Sequence, residues 1–249
     1  MKFSANLGFL WTDLPLVDAV RAAKSAGFDA VEFHWPYDVP AEEIAAVLQE
    51  TDLPALGLNT VRGDTNGLSA LPGQEDAARA AIDQAIGYAR DIGAGAVHVM
   101  AGFARGQDAH DTFVSNLRYA CDAAPEMTMM IEPLNRHDAP DYFLSTSAQA
   151  RTLIEEVGRH TLKLMFDCYH LQIMGGDLTR QLRDCLPVIG HIQFAGVPAR
   201  GRPDEGELAY DHVFAELRRL GWDQPLGAEY KPGGETGATL GWMDRYRNA

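Results

Sequence analysis

Short apolar runs alternate with amphipathic stretches from one end of the chain to the other. Residues 3–7, 30–33, 55–59, 96–100, 128–131, 162–167, 189–194 and 226–229 read as strands, each bounded by glycine, proline or charge. Between them, residues 15–26, 40–50, 74–92, 109–123, 178–185 and 211–220 carry the three-to-four-residue apolar spacing of helices. A further helix is expected after 131 with Ser147 as its cap, and a short last one after Leu240. Gly27 is placed to stop the first helix, and Pro40 to open the second with Glu42 and Glu43 in its first turn. Eight strand–helix units without a linker or a shift in composition predict a parallel sheet. In a chain of 249 residues they predict an α/β fold, a single (β/α)8 TIM barrel spanning 1–249. A doubly wound sheet is the runner-up, but no G-x-G-x-x-G follows the first strand.

Composition narrows the function classes. Net charge is −14, from 35 acidic and 21 basic residues, which argues against nucleic acid as a partner. Three cysteines, Cys121, Cys168 and Cys185, are odd in number and show no C-x-x-C spacing, so free thiols in a reducing compartment are expected. The first apolar run is broken by Ser4, Asn6 and Asp13, unlike a signal peptide, and no apolar stretch is long enough to span a membrane. A cytoplasmic protein is the expectation. Its oligomeric state stays open, although barrels of this size often pair through their helices into homo-oligomers.

The candidate chemistry sits at strand ends. The run 128–131 meets Glu132 and then Pro133, whose missing donor ends strand pairing. Asp167 closes LKLMFD, Gln193 lies in GHIQF, and Glu229 ends LGAEYKP. The C-terminal face of a barrel is where active sites are built, so these four converge on one site. Three carboxylates and an amide oxygen form a hard-ligand set suited to Mg²⁺ or Mn²⁺ rather than zinc. Such a metal polarises a carbonyl and an adjacent hydroxyl, and two flanking glutamates can move a proton between neighbouring carbons. An aldose–ketose shift or an epimerisation through a cis-enediolate is the reaction class.

The segments IEPLNRHDAPDYFL, FDCYHLQIMGGDL, HIQFAGVPARGRPDEGELAY and EYKPGGETGATLGWM, with NTVRGDTNG in the third loop, resemble the hydroxypyruvate isomerase family. That family belongs to the xylose-isomerase-like barrels. The resemblance implies a divalent metal, Mg²⁺ or Mn²⁺, and interconversion of hydroxypyruvate with tartronate semialdehyde, a small hydroxy-keto acid substrate. It implies that Glu132 and Glu229 are the acid/base pair and metal ligands, with Asp167 and Gln193 completing the metal shell. His170, in the D-x-x-H pattern after Asp167, would hold a substrate oxygen. Arg200 would take the substrate carboxylate, with Glu207 orienting Arg200 or His170. Gly201 stands where the family usually has His, a departure at the substrate end of that loop. Lys231 is either a carboxylate clamp or a surface residue, and His98 either faces the barrel mouth or is a core histidine. Glu32, His34, Asn59 and Asp64 are lesser candidates, and Trp11, Trp35 and Phe103 could wall the pocket. A 2-oxo-tetronate isomerase or a ketose 3-epimerase would use the same site. Epimerases usually have His where Gln193 stands, which favours the keto-acid branch. An endonuclease IV-like phosphodiesterase needs a histidine-rich zinc cluster and a basic groove, and a barrel that only binds a sugar acid needs no second glutamate.

Overall fold

The structure is a computed structural model that describes residues 1–247. Asn248 and Ala249, inside the expected span, lie outside the described residues. The eight expected strands form at Phe3–Asn6 (β1), Ala30–Glu32 (β2), Leu58–Asn59 (β3), Ala96–His98 (β4), Thr128–Ile131 (β5), Leu162–Asp167 (β6), Ile189–Phe194 (β7) and Leu226–Ala228 (β8). Every paired ladder is parallel, and the order runs β2-β1-β8-β7-β6-β5-β4-β3. The two ends of that order meet. Val31 N donates to Pro54 O (3.0 Å), Leu56 N to Val31 O (2.9 Å) and Phe33 N to Gly57 O (3.0 Å). Backbone bonds thus run round a ring, and β3 is shorter than the expected 55–59 because this seam is made by single bridges.

Helices Leu16–Ser25 (α1), Ala41–Thr51 (α2), Glu75–Ile92 (α3), Gln107–Ala123 (α4), Ser147–Val157 (α5), Cys168–Met174 (α6), Leu178–Cys185 (α7), Tyr210–Arg219 (α8) and Trp242–Arg247 (α9) follow the strands. In α3 the residues Ala78, Ile82, Ala85, Ile86, Ala89 and Ile92 recur every three or four positions, and all are buried. The three alanines among them let the helix lie close on the sheet, and the isoleucines supply the apolar face. Two local expectations are corrected. Thr146 rather than Ser147 caps α5, its Oγ1 accepting from Gln149 N at 3.1 Å. The chain also turns into α6 at Cys168, directly after Asp167, where no helix was expected.

Inside the barrel the apolar filling is thin. Ala96, Met130 and Met165 form a small cluster of their own, apart from the large core between sheet and helices. Glu132 and Asp167 stand two residues beyond Met130 and Met165, on the same inward face of their strands. The site therefore rests on this plug.

Candidate active site

A cavity of about 340 Å³ opens at the C-terminal ends of the strands. Glu132, Glu229, His170, His98, His34, Asn59 and Arg200 line it. Glu132 and Glu229 follow β5 and β8, three strands apart in the ring, so they reach the cavity from different walls. Asp167 lies between them in strand order and is almost wholly buried. As the N-cap of α6 its Oδ1 accepts from Tyr169 N at 2.8 Å, which aims Oδ2 at the site. Single ligand atoms of Glu132, Asp167 and His170 all lie within 4.8 Å of one another.

The carboxylates are unequally compensated. Glu229 Oε1 accepts from His34 Nε2 (2.8 Å) and Asn6 Nδ2 (3.1 Å), and its Oε2 pairs with the Arg200 guanidinium. Burial pushes the Glu229 carboxyl up, but Arg200 and His34 outweigh it and hold the group below the usual carboxylate range. Arg200 reaches Asp167 Oδ2 only at 3.4 Å, and burial lifts that carboxyl to about 7 against the pull of the arginine. Glu132 fares worst. Burial, then the charges of Glu229 and Asp167, push its carboxyl well above the usual range, and its Oε1 is buried without a hydrogen-bond partner among the described residues. Ionised together, the three carboxylates would exceed the one guanidinium by two negative charges, which a dication would balance.

His170 is fixed as a neutral donor. Asn135 presents its backbone N (3.0 Å) and Nδ2 (2.8 Å) to Nδ1, so the ring carries its proton on Nε2. Nε2 stands 3.6 Å from Asp167 Oδ2 and 3.9 Å from Glu132 Oε1. Burial and the nearby Arg200 push its pKa down to about 3. A ring in this tautomer donates to an oxygen rather than coordinating a cation. His98 is likewise driven to about 3 by burial, with Nδ1 3.2 Å from Asn59 Oδ1 and Nε2 unpartnered among the described residues.

Gln193 is buried directly across from Asp167 in the β6–β7 register, yet it lines a smaller cavity beneath the main one. Its Nε2 donates to Glu32 Oε2 at 2.8 Å, and its Oε1 has no partner among the described residues. By the chemistry of their oxygens Glu132, Asp167, Gln193 and Glu229 suit a hard dication, with Glu132 Oε1 and Gln193 Oε1 unpartnered among the described residues, while of the four only Glu132 and Asp167 fall in the close group with His170.

Other expectations fare differently. Glu207 is exposed and does not orient Arg200 or His170, because Gly206 (φ +84°) turns the chain so that Glu207 N bonds Val197 O at 2.9 Å. Lys231 is exposed and outside the cavity lining, its backbone N bonding Arg200 O at 2.7 Å. Asp64 is exposed, Trp11 packs on Phe28 in the core, and Phe103 lies outside the lining, so Trp35 alone of the three aromatics walls the cavity. Sequence reasoning missed several lining residues. Arg62 lies 5.5 Å over the Trp35 ring, with Nε bonded to Asn66 Oδ1 at 2.7 Å. Phe9 and Tyr169 stack on the Arg200 guanidinium at 4.6 and 4.9 Å. Ser4 and Asn6 meet Glu32 inside the barrel, and their alternation in FSAN was the available signal.

Residues 20–246 match the model of the xylose isomerase-like TIM barrel family. A 2-oxo-tetronate isomerase from Cupriavidus necator is 41% identical over 255 residues, covering 98% of each chain. The hydroxypyruvate isomerase of Escherichia coli is 37% identical over 258 residues, covering 99% of this chain and 100% of that one. Among solved structures, AP endonuclease, family 2, from Brucella melitensis superposes with a TM-score of 0.94 at 37% identity, covering 98% of both chains. At these identities the likeness extends well beyond a shared barrel, and the chain belongs to the xylose isomerase-like TIM barrel family, as a relative of its hydroxypyruvate and 2-oxo-tetronate isomerases.

Proposed function

We propose that this isomerase is one barrel domain that interconverts hydroxypyruvate and tartronate semialdehyde by proton transfer through a cis-enediolate, in the cytoplasm. One observation carries the reading. Two buried glutamates, Glu132 and Glu229, face a single small cavity from separate walls, with Asp167 between them. In this reading one glutamate takes a proton from C3 of hydroxypyruvate and a proton returns at C2, while the O3 proton passes to O2. His170 Nε2–H donates to a substrate oxygen as charge gathers there. Glu132, Asp167, Gln193 and Glu229 would hold Mg²⁺ or Mn²⁺, which supplies polarisation of the keto and hydroxyl oxygens and so acidifies the C–H. The cavity is small for a nucleic acid and the chain is acidic, which favours a small acid over a phosphodiester.

A carboxylate substrate needs a cation among these acids. Arg200 is engaged by Glu229 and Asp167, whereas Arg62 is held at the rim by Trp35 and Asn66, with no acidic partner among the described residues. We assign the substrate carboxylate to Arg62 together with Arg200. Arg62→Gln is expected to raise KM for the acid about tenfold with little change in kcat, the loss of one partly exposed charged contact. An unchanged KM in steady-state assays would place the carboxylate on Arg200 alone.

NMR of hydroxypyruvate in D₂O with EDTA-treated protein, before and after adding Mg²⁺ or Mn²⁺, tests the function. Metal-dependent tartronate semialdehyde carrying deuterium supports it. Conversion of four-carbon 2-oxo acids or ketoses instead keeps the chemistry and moves the substrate. Turnover of none of them sinks the isomerase reading.

A further inference from the structure

We propose that Glu32 is a positioning residue that fixes which end of the Gln193 amide faces the metal site. The proposal rests on the reading of Gln193 as a metal ligand. Glu32 closes β2 and points into the barrel beneath the cavity's carboxylates, 4% exposed. Its Oε1 accepts from Ser4 Oγ and stands 3.0 Å from His191 Nε2. Its Oε2 accepts from Gln193 Nε2 (2.8 Å) and, more weakly, from Asn6 Nδ2 (3.5 Å).

A carboxylate is acceptor-only, so the side of Gln193 that meets Glu32 must be its NH₂. Oε1 is then the end turned away, which leaves it buried and unpartnered one strand from Asp167. An amide has nearly the same shape after a half-turn. Without an acceptor at position 32 the NH₂ is free to face a cation it cannot coordinate. Asn6 extends the same control. Its Nδ2 bridges Glu32 Oε2 and Glu229 Oε1, while its Oδ1 is taken by Gly8 N at 3.0 Å.

A glycine makes room for this arrangement. Gly227 on β8 lies against all three side chains. A Cβ there would overlap Glu32 Oε1 and come within 2.8 Å of Gln193 Cγ and 2.9 Å of His191 Nε2. Glu32, Gln193 and His191 therefore meet over the bare backbone of Gly227.

Mn²⁺ affinity, read by EPR of the free ion and by calorimetry, tests the proposal without any turnover. Glu32→Met keeps length and removes the acceptor, and is expected to weaken Mn²⁺ binding about 10- to 100-fold. In the double variant Glu32→Met/Gln193→Glu both ends of residue 193 are oxygens, so orientation ceases to matter and affinity is expected to return. Gln193→Glu alone reads the gain from the added charge, and a merely structural Glu32 would leave the double variant as far below that single variant as Glu32→Met lies below the wild type. Glu32→Asp, which keeps the charge but withdraws it from Gln193, covers the case in which Glu32→Met does not fold, and is expected to weaken binding about tenfold. Wild-type affinity in a folded Glu32→Met or Glu32→Asp protein, or a folded double variant that stays weak, overturns the proposal. Full affinity in Gln193→Ala overturns it by removing Gln193 from the shell, and a wild type that binds no Mn²⁺ overturns the metal reading with it.

Discussion

Glu132→Gln is expected to cut turnover about 10²- to 10⁴-fold, the usual worth of a positioned acid or base, while raising the melting temperature of the metal-free protein at pH 8. Both effects come from one feature. The carboxyl of Glu132 is pushed up by burial and by the charges of Glu229 and Asp167. For an acid whose folded pKa lies above its unfolded one, the native state binds more protons between the two values, so stability falls as pH rises through that window. At pH 8, far above the unfolded value, the wild type carries the cost of that raised pKa whichever form the buried carboxyl takes; glutamine removes it, and Tm is expected to rise about 2–4 °C for each kcal/mol relieved. Glu229→Gln separates the two glutamates. Burial raises its carboxyl, but Arg200 and His34 hold it below the usual range, so its stabilisation is present at pH 8 and disappears only as pH falls through the folded pKa. That variant is expected to lose turnover comparably and to melt earlier at pH 8. Calorimetric scans of the two EDTA-treated variants check the pair. Shifts of the same sign would mean that the acids are not compensated as the structure has them.

Much of this site is legible in the sequence because chain geometry and chemistry coincide there. Pro133 after Glu132, and the glycines and prolines bounding the other runs, mark strand ends independently of function. At a barrel's C-terminal face a strand-end carboxylate is a site carboxylate. What stayed hidden depended on partners far apart in sequence. Arg200 lies on Glu229 and Asp167, contacts that need the turn at Arg200 (φ +55°) as well as the barrel. Glu32 meets His191 and Gln193 across β1 and β8, a neighbourhood that only the closed ring creates. Helix α6 escaped because its seven residues are too few for periodicity to register, and its cap is itself a site residue, Asp167. Arg62 carried no local signal, since the ring it stacks on, Trp35, belongs to another loop. Glu207 shows the reverse error, while Lys231 falls to its surface alternative. Both motifs match the family, but the turn at Gly206 carries the Glu207 side chain to the surface and Lys231 is likewise exposed.

Metal affinity is expected to rise steeply between pH 6 and pH 8. A dication entering among Glu132, Asp167, Gln193 and Glu229 must displace whatever balances their charge in its absence. Asp167 holds a proton up to about pH 7, Glu132 holds one well above the usual range, and Arg200 occupies Glu229. Each proton expelled adds up to about one unit of slope to log Ka against pH, so one to two units are expected below pH 7, and the share of Asp167 fades above it. Calorimetry of Mn²⁺ binding at pH 6, 7 and 8, in buffers of different ionisation enthalpy, reads both the affinity and the protons released. A flat profile without proton release would show that the carboxylates are already ionised, or that the metal binds elsewhere. The same linkage acts on stability with opposite signs in the two forms. The metal-free protein loses stability on going from pH 6 to pH 8, whereas at a fixed Mn²⁺ concentration the stabilisation by binding grows as affinity does. The difference in Tm between loaded and metal-free protein is therefore expected to widen with pH. Arg200→Gln should widen it further, because removing the resident guanidinium leaves the metal as the cluster's only strong counter-charge.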